Sequence, residues 1–242
     1  MKALILAGGR GTRLRPYTTV LPKPLMPVGD YPILEILLRQ LRRAGVRDVT
    51  LAVGYMSELF RSFFGSGERL GLNISYSFED QPLGTAGPIA AVLEELGEHF
   101  LVTNGDLLTT LDFKEMYDAH VASGAAATIG LHRREVKIDF GVVDFTEDGL
   151  LDRYREKPVM EFDVSMGVNI LSRDAVRPYL KPGEYLDIPN LMQLLTRDGA
   201  EVRGHRSDCY WLDIGRVDDY QLATQMFEDG SDRFLPPVHN EA

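Results

Sequence analysis

The chain has 242 residues and a formal net charge of −10 at pH 7, with 44% hydrophobic and 26% charged residues. That length holds one large domain or two small ones with a substantial core, and the acidic balance excludes general nucleic-acid binding, because a polyanion is repelled on average. No apolar run approaches the ~20 residues that a bilayer-spanning helix needs, and the single cysteine, Cys209, excludes an intrachain disulfide and predicts a reducing, cytoplasmic setting.

Residues 2–7 form a short apolar run stopped by Gly8 and Gly9, which predicts a buried strand; a signal peptide would carry a longer apolar core. The stretch LAGGRGTRLRPYTTVLPKPLMPV, from Leu6 to Val28, then concentrates glycine, proline, arginine and lysine before the first helix. Ile33, Leu34, Leu37, Leu38 and Leu41 recur on one helical face that ends at Gly45. DVTLAV at 48–53 predicts a strand, Leu59 to Phe64 a helix stopped by Gly65 and Gly67, and the alternation of Ile74, Tyr76 and Phe78 a half-buried strand. A helix over about 88–96 leads to HFLVTNGD, a strand ending in a polar turn, and Asp112 is an N-cap for the next helix. This alternation predicts a doubly wound, mostly parallel α/β sheet.

After Ala125 the pattern becomes strand-rich. ATIGLHR, FGVVDF, LLDRYREKP and FDVSMGVNIL predict strands, with a hairpin turn at Glu147-Asp148-Gly149. Helices are predicted near 172–180 and 188–197, a last strand at CYWLDIG, and a final helix over 217–227. His120 is expected to be partly exposed, Cys209 a small buried residue, the Phe60–Phe64 cluster core, and Trp211 a packing residue that helps fix Asp213.

The glycine-rich turn matches neither familiar phosphate-binding fingerprint. A dinucleotide motif needs G-x-G-x-x-G, but Leu14 stands where the third glycine belongs; a P-loop needs Gly-Lys-Ser/Thr, and Gly11 precedes Thr12-Arg13. Glycines nonetheless let backbone N–H groups approach a phosphate or a base edge closely. Arg13 offers a fork for phosphate oxygens and Lys23, between Pro22 and Pro24, a fixed point charge. A surface loop with solvated charges is the plain alternative.

LAGGRGTRLRP followed by LPKPLMPV resembles the signature of the sugar-1-phosphate nucleotidylyltransferases, the nucleotide-sugar pyrophosphorylases: G-G-x-G-T-R-L-x-P, then P-K-P and P-V. QPLGTAG at 81–87, NGD at 104–106, EKP at 156–158 and WLDIG at 211–215 follow in family order, so the resemblance covers about residues 1–225. It implies a Rossmann-like fold of the nucleotide-diphospho-sugar transferase type with a smaller mixed β sugar-binding lobe. Residues 1–228 would form a single catalytic domain, with a nucleotide-binding lobe over about 1–124 and the sugar-binding lobe over 125–228, and residues 229–242 a tail.

The implied reaction joins an NTP to a sugar 1-phosphate, a sugar phosphate oxygen attacking the α-phosphorus in line as pyrophosphate leaves. Two anions must be aligned and neutralised, which explains cations at one turn of an acidic chain. By family analogy Arg13 and Lys23 are catalytic and contact the triphosphate. Leu6, Gly8, Gly9, Gly11, Thr12, Gln81 and Gly87 are nucleotide-binding, Gln81 on the base edge because its amide both donates and accepts. Glu156 and Lys157 would take sugar hydroxyls and the sugar phosphate, beside Gly141, Gly167 and Asn169. Asp106 and Asp213, each following an apolar run, would bind Mg²⁺ at strand ends.

Many relatives carry Asn-Ala-Gly-Ile/Val-Tyr where this chain has Ser165-Met166-Gly167-Val168-Asn169. An amide at Asn169 in place of an aromatic ring leaves mannose, a heptose or a cyclitol open beside glucose. Likeness to compact mannose- or heptose-1-phosphate guanylyltransferase-type members favours GTP. Thymidylyl or uridylyl transfer to a hexose 1-phosphate, or an inactive nucleotide-sugar-binding regulatory subunit, are the alternatives. A homodimer is the default for a soluble enzyme, and activities that other relatives carry on C-terminal extensions are not expected.

Overall fold

Ala3, Leu4 and Ile5 are fully buried, as a strand with parallel neighbours and both faces covered requires. They belong to β1 (Lys2–Leu6), the central strand of the structure, a computed structural model that describes residues 1–235. The chain continues through β2 (Pro27–Val28), β3 (Tyr31–Pro32), α1 (Ile33–Arg43), β4 (Asp48–Val53), α2 (Ser57–Phe64), β5 (Asn73–Phe78), α3 (Ile89–Val92), β6 (His99–Asn104), β7 (Leu107–Thr109) and α4 (Phe113–Ser123). The second half comprises β8 (Ala127–Lys137), β9 (Val142–Phe145), β10 (Leu151–Arg155), β11 (Val159–Ser172), α5 (Arg173–Val176), α6 (Ile188–Arg197), β12 (Val202–Arg206), β13 (Trp211–Asp213) and α7 (Val217–Phe234).

The main sheet has seven strands in the order β12-β8-β11-β6-β1-β4-β5. All run in one direction except β11, which pairs antiparallel with both β6 and β8. The expected mostly parallel, doubly wound α/β sheet is therefore present, and the main strands of the second half extend that same sheet. Successive residues of β1 point to opposite faces. Ala3 and Ile5 pack with Leu37, Leu38 and Leu41 of α1, Phe60 of α2 and Met116 of α4. Leu4 packs on the other face with Ile89 of α3 and Leu191 and Leu195 of α6. Each such leucine contributes about 1.5–3 kcal/mol by leaving water. A third apolar cluster joins Leu14 of the glycine-rich loop to Ile33 and Ile36 of α1 and to Ala223, Phe227 and Phe234 of α7.

Three elements differ from expectation. The helix foreseen over 88–96 is regular only through Val92, because its end tightens: the Glu95 amide donates to the Val92 carbonyl three residues back. Strand β12 has no apolar alternation to announce it; it is an edge strand whose Arg203, Gly204 and Arg206 are exposed. The last helix continues past Phe227 to Phe234, with a break at Gly230, and buries Phe234. Of the residues assigned to the tail, Phe234 thus packs on the body while 229 and 231–233 are exposed, and 236–242 lie outside the described residues. His120 is also buried, 1% exposed, because Phe113, Met116 and His120 share the inner face of α4. Cys209 is half-buried rather than buried, and Phe63 of the aromatic cluster is exposed. Among the described residues no helix is long and apolar enough to cross a membrane.

Candidate active site

Leu6 and Asn104 end the paired strands β1 and β6 side by side. At this edge, where chain connections leave β1 and β6 in opposite senses, open α/β sheets present a ligand crevice. Two hollows meet there and share Leu6, Thr85 and Asn104 in their walls. The larger, about 670 Å³, is lined by Gly8, Gly9, Arg10, Tyr55, Glu79, Gln81 and Asp106 among others. The smaller, about 270 Å³, is lined by Ser165, Met166, Gly167, Asn169, Trp211 and Asp213.

Asp106 and Asp213 stand far apart in the chain and are joined by the short antiparallel pairing of β7 with β13, which sets Asp213 opposite Leu107. Between the two carboxylates lies the ammonium of Lys23, 2.5 Å from Asp106 Oδ2 and 3.3 Å from Asp213 Oδ1. Lys23 itself is only 8% exposed. Burial pushes the Asp106 carboxyl above the usual range; the Lys23 charge opposes that and the Asp213 charge adds to it. Asp106 Oδ1 is buried without a hydrogen-bond partner, and no group of three or more His, Cys, Asp or Glu able to hold a metal is present among the described residues. Two carboxylates with open positions suit a hard divalent cation that completes its shell with water and substrate phosphates.

The glycine-rich loop is held from below by buried Leu14 and by Thr18, whose hydroxyl donates to the Gly11 carbonyl at 2.7 Å. Gly11 has φ +58°, and a Cβ there would meet Thr18 at 3.0 Å and Lys23 at 3.3 Å, so loop and lysine are packed as one piece. Nothing lies within 4 Å of a Cβ at Gly9, which leaves its backbone open to a ligand. Thr12 and Arg13 are exposed. The Arg13 guanidinium and the Asp213 carboxylate both border Gly215, at 3.6 and 3.7 Å from a Cβ built there.

The wall of the smaller hollow is a β-bulge. Ser165 faces Leu131 and Asn169 faces Ile129, so β11 gains two residues on β8 between them. Gly167 takes φ +73° in the bulge and would strike the Asn104 amide at 2.5 Å if it carried a Cβ. Trp211 clamps the bulge by donating its indole N–H to the Met166 carbonyl at 2.9 Å. Asn169 is 3% exposed, and its Oδ1 has no partner among the described residues.

Not every expected residue joins this constellation. Gly87 borders a groove with Pro178, Tyr179 and Lys181, and a Cβ there would collide with the Leu83 and Glu184 carbonyls, so close packing explains that glycine. Gly141, Glu156 and Lys157 lie exposed around the β9–β10 hairpin and line neither hollow. Lys157 has φ +44°, a conformation that costs a non-glycine residue of order 1–3 kcal/mol. Arg10 and Glu79 are among the residues of the larger hollow that escaped the sequence reading. Arg10, whose guanidinium sits 5.9 Å from the Tyr55 ring centre, occupies the variable position of the loop motif. Glu79 stands at the end of β5 under Gly8, its Oε1 3.0 Å from a Cβ there. Its Oε2 accepts from the Leu83 amide at 3.3 Å, and burial pushes its carboxyl above the usual value, with that bond opposing.

Residues 2–230 match the family model described as nucleotidyl transferase. Over 241 residues the chain is 36% identical to a mannose-1-phosphate guanyltransferase of Candida albicans, covering 94% of this chain and 64% of that protein. It is 33% identical to a UTP–glucose-1-phosphate uridylyltransferase of Synechocystis, covering 92% of this chain and 62% of the relative. The chain thus spans a little under two thirds of the length of these relatives. Among solved structures, a Bacillus anthracis protein described as a glucose-1-phosphate thymidylyltransferase, in complex with a sucrose, superposes with a TM-score of 0.76 at 25% identity, covering 95% of this chain and 96% of that one.

Proposed function

The chain belongs to the nucleotidyl transferase family, and from that premise we propose that it transfers a nucleoside monophosphate from an NTP to a sugar 1-phosphate, releasing pyrophosphate. The observation that carries this reading is the placement of the Lys23–Asp106–Asp213 cluster at the junction of a nucleotide-sized hollow and a smaller one that carries Asn104, Asn169 and Asp213 among apolar residues. A base and ribose in the larger hollow and a sugar in the smaller would bring their phosphates together over that cluster. Their mutual repulsion is the main obstacle, and alignment of the attacking oxygen with the α-phosphorus is the main task.

The chain's own residues divide that work. The open backbone at Gly9 and the exposed Arg13 receive the triphosphate and neutralise its charge. Gly8 and Leu6 form the floor beneath the nucleoside. Gln81 stays available at the exposed rim. In the smaller hollow the unpartnered Asn169 Oδ1 accepts from a sugar hydroxyl, and Gly167 allows the sugar to lie against the backbone. From the hairpin, Lys157 takes the sugar phosphate, and Glu156, beside Gly141, accepts from sugar hydroxyls. Asp106 and Asp213 would hold Mg²⁺, which when bound supplies positive charge to the phosphoryl oxygens.

GTP is the favoured nucleotide. Glu79 brings a carboxylate, which only accepts hydrogen bonds, into the larger hollow. Guanine offers adjacent N1–H and N2–H donors that suit it, whereas the uracil or thymine imino group is flanked by carbonyl acceptors that a carboxylate repels. The name of the Candida relative supports mannose 1-phosphate as the first acceptor to try; the name of the Synechocystis relative keeps uridylyl transfer as the second reading. The test is pyrophosphate release with GTP, dTTP, UTP, CTP and ATP crossed against hexose, heptose and cyclitol 1-phosphates in Mg²⁺. A dominant GTP pair, with Glu79→Gln eroding the preference for GTP over UTP, is expected. No release from any pair by folded protein overturns the reading.

A further inference from the structure

Lys23 is assigned to the triphosphate, yet its ammonium is engaged with both candidate metal ligands, at 2.5 and 3.3 Å. These two engagements compete. An ammonium closed onto two carboxylates has its charge already compensated and only one of its three N–H donors left for phosphate. A divalent cation approaching the same oxygens meets a like charge, which opposes its entry into a partly buried site. The lysine cannot drift away into solvent either, because it is almost fully buried, flanked by Pro22 and Pro24, and packed at its Cβ against Gly11. The acid pair, for its part, needs a cation: Asp106 is desolvated, Asp213 lies beside it, and Asp106 Oδ1 has no partner among the described residues.

We propose that Lys23 is an internal placeholder cation. It neutralises Asp106 and Asp213 while the site is empty and passes to the phosphates when a nucleotide arrives, which opens the acid pair to the divalent cation. The identity of the arriving ligand rests on the function proposed above. Nucleotide and metal then bind with positive coupling, and the coupling is reciprocal. The device keeps metal off the bare protein and admits it together with the triphosphate. A static ion pair that merely supports the fold has none of these consequences.

The test is Mn²⁺ binding at pH 8, read as free Mn²⁺ by electron paramagnetic resonance, with and without a non-hydrolysable GTP analogue. K23M and K23Q are expected to bind Mn²⁺ alone about tenfold or more tighter than the unmodified protein, within the range usual for site-to-site coupling. K23R, which keeps the charge, is expected to stay weak, and D106N added to K23M is expected to abolish the gain. The analogue should tighten Mn²⁺ binding to the unmodified protein far more than to K23M. If folded K23M and K23Q bind Mn²⁺ no tighter than the unmodified protein, Lys23 is not a placeholder. Pyrophosphate release separates this from the function itself. Turnover without a gain in K23M sinks only the placeholder, and a gain in K23M without turnover on any substrate pair sinks only the transferase reading.

Discussion

The floor of the two hollows and the β9–β10 hairpin both carry residues marked by the opening resemblance, yet they are built in opposite ways. On the floor, Leu6, Asn104, Asp106, Gly167 and Asp213 are positioned by the central strands, a clamped bulge and a β7–β13 pairing. On the hairpin, Phe145 opposes Leu151 and Val143 opposes Tyr154, and all four side chains are exposed, with Phe140 beside them at 78% exposure. Its clearest polar tie on the inner side is the Asp144–Arg155 ion pair at 3.1 Å. A floor made of packed strands holds charge in place for chemistry, whereas a two-stranded ribbon is at best marginally stable by itself and suits adjustable contact with a ligand.

The comparison breaks first at the floor. Asp106→Asn is expected to lower kcat by about 10³-fold or more, as loss of a group that stabilises transition-state charge does, while the melting temperature holds, since burial already disfavours the charged carboxylate. Full activity in that variant would remove the acid pair from the mechanism.

The next effect concerns the support beneath the floor. His120 links β6, β8 and β11 through His99, Thr128 and Ser172, and burial, with His99 adding, lowers its pKa from 6.5 to about 4. The unfolded chain therefore takes up a proton near pH 6.5 that the folded chain refuses until about pH 4. Stability from this group is full above pH 6.5 and falls as the pH drops through that window, by at most about 3 kcal/mol. Urea unfolding between pH 7.5 and 4.5 should show this slope, reduced in His120→Asn. An unchanged slope would contradict it.

Gly167→Val tests the bulge. A Cβ at φ +73° meets the Asn104 amide, and displacement of this wall of the smaller hollow by an ångström is expected to cost about 10² in kcat/KM. Lys157→Ala, on the hairpin, should raise KM for the sugar phosphate about tenfold, the scale of one charged hydrogen bond, with kcat and melting temperature nearly unchanged. A collapse of kcat there would mean that the hairpin belongs to the rigid floor after all.

What could be read from the chain follows the same division. The apolar run of β1, the helical stripe from Ile33 to Leu41 and the glycine-rich loop announce themselves through period and composition, and each takes its expected place in the mostly parallel sheet. Asp106 and Asp213 were each visible as an acid after an apolar run, but only tertiary pairing of β7 with β13 makes them neighbours. Glu79 stands outside the motif that marks Gln81, and only the folded chain shows that both line one hollow. His120 has a polar side chain on an apolar stripe, and its stripe was the better guide. Strand β12 lacks any apolar signal because an edge strand does not require one.

The most direct measurement is a crystal structure with a non-hydrolysable GTP analogue and Mn²⁺, the metal located by its anomalous signal. The account predicts guanine beside Glu79 in the larger hollow, the metal on Asp106 and Asp213, and the Lys23 ammonium moved onto phosphate. Nucleotide bound elsewhere, or metal bound away from that acid pair, would contradict it.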